Sequence, residues 1–101
     1  MNHEFDFEAE AEYINAANYY EEARSGLGEQ FIQSVERAIR NACDRPEWFR
    51  LISPRVRRSL VRGFPYGILF AVASDRIFIL AVMHLHRKPG YWVERLNRVP
   101  E

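Results

Sequence analysis

Two apolar runs in the second half of the chain constrain its fold more than any other feature. Tyr66 to Ala73 and Ile77 to Leu85 are almost continuously hydrophobic, and only a short polar turn at Ser74-Asp75 separates them. Runs of this length, rich in Ile, Val, Leu and Phe, suit strands buried on both sides. They are too short to cross a bilayer. The tight turn makes them antiparallel hairpin neighbours.

The first half follows a different period. Ala9, Tyr13, Ala16, Ala17 and Tyr20 recur at steps of three and four, with Glu8, Glu10, Glu12, Glu21 and Glu22 between them, which predicts an amphipathic helix with a solvated acidic face. Ser25-Gly26-Leu27-Gly28 is read as its stop. A second helix, starting near Phe31, carries Phe31, Val35, Ala38, Ile39 and Ala42 on one stripe and ends before Pro46. With so few residues between them, the helices form an antiparallel hairpin.

Pro46 to Pro54 reads as a connector. After it the period becomes two: Val56, Arg58, Leu60 and Arg62 on one face of a strand, and Arg55, Arg57, Ser59 and Val61 on the other. Arginines on both faces argue against a central position and for a solvated edge. In the last strand the same alternation puts Phe78, Leu80, Val82, His84 and His86 together. His3 to Phe7 suggests a short first strand, and a short helix is expected after Pro89. The expected fold is therefore α+β: one domain over 1–101, with a helical hairpin on one face of a mainly antiparallel four-stranded sheet (β-α-α-β-β-β). The other sheet face is expected to be partly open and to carry the function.

Composition narrows the class. The 101 residues fit one domain able to bury its own core. A single cysteine, Cys43, forms no internal disulfide and is read as a buried structural thiol; the acidic start is no signal peptide. The expectation is a cytoplasmic protein. The formal charge is zero, yet residues 1–44 hold ten acidic and three basic side chains, whereas residues 45–101 hold four acidic and eleven basic. Thirteen of the fourteen basic residues are arginine, which suits bidentate recognition of phosphate or carboxylate. The alternative is that the halves attract each other within the fold.

Three groups could carry chemistry. Arg55, Arg57, Arg58 and Arg62 could clamp phosphate or carboxylate, or simply solvate a strand. His84-Leu85-His86-Arg87 could supply a general base beside a cation, or His84 could lock the turn that follows its strand. No metal site is expected, because no further Cys or His completes one. Tyr66, Tyr91 and Trp92 could stack on bases, but more often such residues seal a core or an interface. No carboxylate can be placed opposite the histidines, and no cofactor-binding motif is present.

The order of these features resembles the RelE/ParE toxin superfamily, specifically its ParE-like plasmid-stabilisation branch. It is carried by Tyr19-Tyr20-Glu21-Glu22, Gly26-Leu27-Gly28, Arg57-Arg58, Phe64-Pro65-Tyr66-Gly67-Ile68, Ile79-Leu80-Ala81-Val82 and His84-x-x-Arg87-x-Pro89-Gly90-Tyr91-Trp92. The resemblance implies a toxin of a type II toxin–antitoxin system, wrapped by a cognate antitoxin in a hetero-oligomer. For a ParE-like member it implies inhibition of DNA gyrase by binding. Arg55, Arg57, Arg58, Arg62, Tyr66, His86, Arg87 and Trp92 are then a binding surface. For a RelE-like member it implies ribosome-dependent cleavage of mRNA, with His84, Arg58, Arg62, Arg87 and Tyr91 catalytic. A degenerate copy that binds antitoxin without activity is the third reading. The near-absence of lysine, the neutral overall charge and the His84-x-x-Arg87 motif favour the gyrase reading.

Overall fold

The computed structural model describes residues 1–100. The elements run β1 (Asn2–Phe5), α1 (Phe7–Ala23), α2 (Leu27–Asp44), β2 (Arg50–Ser53), β3 (Val56–Val61), β4 (Tyr66–Ala73) and β5 (Arg76–His84). A 3₁₀ turn at Pro46–Trp48 precedes β2, and a 3₁₀ helix at Val93–Arg98 follows β5. The sheet has five strands in the order β1-β5-β4-β3-β2, one more than expected. The extra strand is β2, formed by the connector and paired antiparallel with β3. The arginine-bearing β3 is therefore flanked by strands on both sides and is not the edge. β1 runs parallel to β5, and every other pairing is antiparallel.

The helical hairpin covers one face, with α1 over β5 and α2 over β3. All five apolar residues of the second helix stripe are buried there, with Ala9, Ala16 and Ala17 of α1 and Ile68, Phe70, Ile77, Ile79 and Val82 of the sheet. Cys43 is half-buried against the same core, and burial pushes its thiol above the ordinary value. Asp6 caps α1 by accepting the Glu8 amide at 3.0 Å.

The helix link is shorter than expected. Gly28 is not a breaker but the second residue of α2, buried against α1. A Cβ there would lie 2.7 Å from the Ala17 carbonyl oxygen and 2.8 Å from Glu21 Cβ. Only glycine allows the two helices to approach so closely.

The opposite face of the sheet is largely covered, and only its margin near Leu60 is exposed. Trp92, buried at 6 % exposure, sits with Val56, Leu69, Ala71, Phe78, Leu80, Ala81 and Met83, and Ile52, Tyr91, Leu96 and Val99 pack around them. The chain after β5 thus folds back over this face and gives the domain a second core. No helix is long and apolar enough to cross a membrane among the described residues.

Candidate functional site

Strand alternation predicts one face for Phe78, Leu80, Val82 and His84. A bulge opposite Leu69 and Phe70 changes this. Leu80 and Ala81 both face the second core, so Val82 and His84 move to the helix side while Phe78 and Leu80 stay behind. His84 pairs in register with Tyr66, and their rings meet edge to face at 5.1 Å. Tyr66 in turn contacts Phe31 and Tyr20, at 5.1 and 6.1 Å between centroids. The His84 ring is thereby anchored to the first core.

β1 ends at Phe5, and the Asp6 amide donates to the Ile79 carbonyl oxygen at 2.9 Å. Beyond that point two side chains replace the missing strand on β5. The Val82 amide donates to Glu12 Oε1 at 3.0 Å, and Arg95 Nη1 donates to the Leu80 carbonyl oxygen at 3.0 Å. Arg95 also forks onto Glu12, Nη1 to Oε1 and Nη2 to Oε2, both at 3.0 Å. The Tyr91 hydroxyl donates to Glu12 Oε2 at 2.8 Å. Burial and this hydrogen bond to a carboxylate push the Tyr91 hydroxyl well above its ordinary value, so it holds its proton. The Arg87 guanidinium lies over the Tyr91 ring, 4.0 Å from its centroid.

A cleft of about 310 Å³ opens beside this assembly, lined by Glu12, Asn15, Tyr19, Tyr66, His84 and Arg87 among others. Five of the residues singled out in the sequence gather at or beside it: Tyr66, His84, His86, Arg87 and Tyr91. The His86 amide donates to His84 Nδ1 at 3.1 Å. That nitrogen is therefore the acceptor, and Nε2 carries the hydrogen. In this state His84 presents a donor.

The remaining candidates lie elsewhere. Arg57 is on the helix side of β3, where Nη1 donates to the Phe49 carbonyl oxygen at 2.7 Å and ties down the connector. Arg58 is on the opposite face, its Cγ and Cδ lying where a Cβ on Gly67 would come within 3.1 Å. Arg58 and His84 are thus on opposite sides of the sheet. Arg55 is in the turn between β2 and β3. Arg62 is in the turn after β3, beside a separate cleft with Arg24 and Arg37. Trp92 is in the second core and offers no binding surface.

Glu12 was not legible as a site residue. The helical period assigns it to the solvated acidic face, yet its side chain is 17 % exposed. The signal was present: Glu12 lies three residues after buried Ala9 and four before buried Ala16, on the inner flank of α1. Part of the charge asymmetry is likewise internal. Among the described residues every ion pair joins an acid of the first half to an arginine of the second: Arg76 to Glu4, Arg95 to Glu8 and Glu12, and Arg98 to Asp6 and Glu8. Among the described residues no group of three or more His, Cys, Asp or Glu side chains is placed to hold a metal ion.

Chemically, the cleft offers donors (His84 Nε2 and the Arg87 guanidinium) and flat aromatic surfaces. Its one carboxylate among the described residues, Glu12, accepts four hydrogen bonds from three residues, Val82, Arg95 and Tyr91. Such a surface can bind an anionic or carbonyl-rich partner.

No family model matches the chain, and no curated protein matches it. A search of solved structures does find matches. One is a chain from a structure titled "Chromosomal ParDE TA system from P. aeruginosa", with a TM-score of 0.72 and 16 % sequence identity, covering 83 % of this chain and 95 % of that one. The helical hairpin on a mainly antiparallel sheet, expected from the sequence, is thus the fold of a chain of a ParDE toxin–antitoxin system.

Proposed function

We propose that this chain is the toxin of a type II toxin–antitoxin pair, neutralised by a cognate antitoxin, and that it acts by binding DNA gyrase rather than by cutting RNA. Its fold likeness to a chain of a two-component ParDE system supports the toxin and antitoxin parts. The observation that speaks against RNA cleavage is the dispersal of the residues an endonuclease would use. His84 and Arg87 face the α1 side, Arg58 lies across the sheet, and Arg62 flanks another cleft. Acid–base cleavage needs base, acid and phosphate-binding cation within hydrogen-bond reach of one phosphate. Here Glu12 is bound to both Tyr91 and Arg95, and His84 Nδ1 accepts from the His86 amide. The cleft between α1 and β5 then acts as a recognition surface. The working compartment would be the cytoplasm, and the resting form a hetero-oligomer with antitoxin.

The test adds purified chain to gyrase with relaxed plasmid, and separately to translating ribosomes with a defined mRNA. Loss of supercoiling with intact mRNA is expected. Codon-specific mRNA cuts with unimpaired supercoiling would make the chain a ribosome-dependent endonuclease. No effect in either assay, with antitoxin binding retained, would make it an inactive copy.

A further inference from the structure

The outer flank of α2 carries a row of side chains that neither core uses. Leu27, Gln30, Ser34, Arg37, Asn41 and Asp44 recur at alternating steps of three and four and so fall in one line along the helix. Two clefts follow that line. One, of about 450 Å³, lies between α2, Arg24 of the helix link, and Arg62 and Phe64 of the β3–β4 turn. The other, of about 360 Å³, is lined by Asn41, Asp44, Arg45, Trp48 and Phe49. An 18-residue helix makes this flank about 27 Å long.

Four arginines and one carboxylate line the two clefts. Arg24, Arg37, Arg45 and Arg62 form no ion pair among the described residues. Asp44 is the one carboxylate lining either cleft. Gln30, Gln33 and Ser34 add neutral hydrogen-bonding groups. At the far end Trp48 is 71 % exposed, and the Arg45 guanidinium lies 4.3 Å from its ring centroid. A tryptophan left in water beside an arginine costs apolar hydration that a partner would recover.

We propose that this flank is a binding track for single-stranded nucleic acid. Its phosphates lie along Arg24, Arg62, Arg37 and Arg45, and a base stacks on Trp48. Unpaired guanidiniums in file with an exposed aromatic platform match a sugar-phosphate chain with its bases. An acidic peptide would answer the arginines, but its carboxylates would leave the tryptophan unstacked. The track lies on α2 over β3, away from the His84 cleft between α1 and β5, so it stands or falls independently of the gyrase reading.

The experiment is fluorescence anisotropy of a labelled single-stranded RNA of about 12 nucleotides, titrated with the full-length chain. Saturable binding is expected at about 50 mM salt, weakening about 50-fold by about 200 mM if four phosphates are contacted. Arg37→Glu with Arg62→Glu, both exposed positions, should weaken binding at least about tenfold with an unchanged melting temperature. Trp48→Ala should also cost about tenfold. Absence of saturable binding at low salt, or binding unaffected by the double charge reversal, would overturn the proposal. So would a polyglutamate peptide that displaces the RNA at equal charge concentration, since the track would then be one for acidic peptide.

Discussion

Replacing Glu12 by alanine tests whether this carboxylate belongs to the architecture or is available for chemistry. It links α1, the unpaired edge of β5 and the C-terminal 3₁₀ helix. The side chains of Glu12 and Arg95 are 17 % and 8 % exposed, and they meet at 3.0 Å. Removing one partner of a buried ion pair leaves the other charged and desolvated, at about 3–5 kcal/mol. The Val82 amide and the Tyr91 hydroxyl lose their acceptor as well. These losses overlap, so they are not added. A domain of this size has about 5–15 kcal/mol in total, and each kcal/mol moves the melting temperature by about 4–8 °C. Glu12→Ala should therefore lower melting by roughly 12 °C or more, measured by circular dichroism with matched urea titrations. Glu12→Leu combined with Arg95→Met replaces the pair by apolar groups and should recover most of the loss. Glu12→Ala within about 1 kcal/mol of the parent would refute the reasoning, because the carboxylate would then be free to act as a base.

Three further outcomes follow from the packing. Gly28→Ala should destabilise by about 1 kcal/mol or more by urea titration, because the overpacking penalty against Ala17 and Glu21 exceeds alanine's helix preference; a stabilised variant would mean that the helices shift apart freely. Trp92→Ala should cost about 3–5 kcal/mol in the same titration, since the residue is buried in the second core; a loss under about 1 kcal/mol would mean that the C-terminal segment does not cover the sheet in solution. Burial of Asp6 opposes its charge, but hydrogen bonds from Arg98 and the Glu8 amide outweigh it and hold the carboxyl below its usual 3.8. A depressed folded-state value gives stability that is present above the unfolded value and lost as pH falls through the folded one. Melting should therefore drop below about pH 4, and Asp6→Asn should lower stability at neutral pH while flattening that acid limb.

The sequence made the helical half legible because its periodicity is strong: Phe31, Val35, Ala38, Ile39 and Ala42 all reach the core. The β4–β5 hairpin was equally plain from its apolar runs. What escaped depended on tertiary placement. β2 is four residues long, sits at an edge and follows a proline-started turn, so its pattern was too short to register as a strand. The bulge at Leu80 and Ala81 shifts His84 to the other face, and a period-two reading cannot see an inserted residue. Gly28 looked like punctuation because a helix-breaking residue and a close-packing residue are the same letter. Glu12 looked solvated because its partners, Tyr91 and Arg95, are about eighty positions away. Of the candidate residues, Tyr66, His84, His86, Arg87 and Tyr91 lie close together, whereas the β3 arginines, neighbours in sequence, are separated by the two faces of the sheet.

The central claim is that this chain halts growth by binding gyrase and not by cutting message. Its most direct test is induction in bacteria, with DNA and protein synthesis pulse-labelled in one culture over the first minutes. Thymidine incorporation should fall before amino-acid incorporation. If amino-acid incorporation collapses first, the claim is wrong, and His84 and Arg87 become candidates for catalysis.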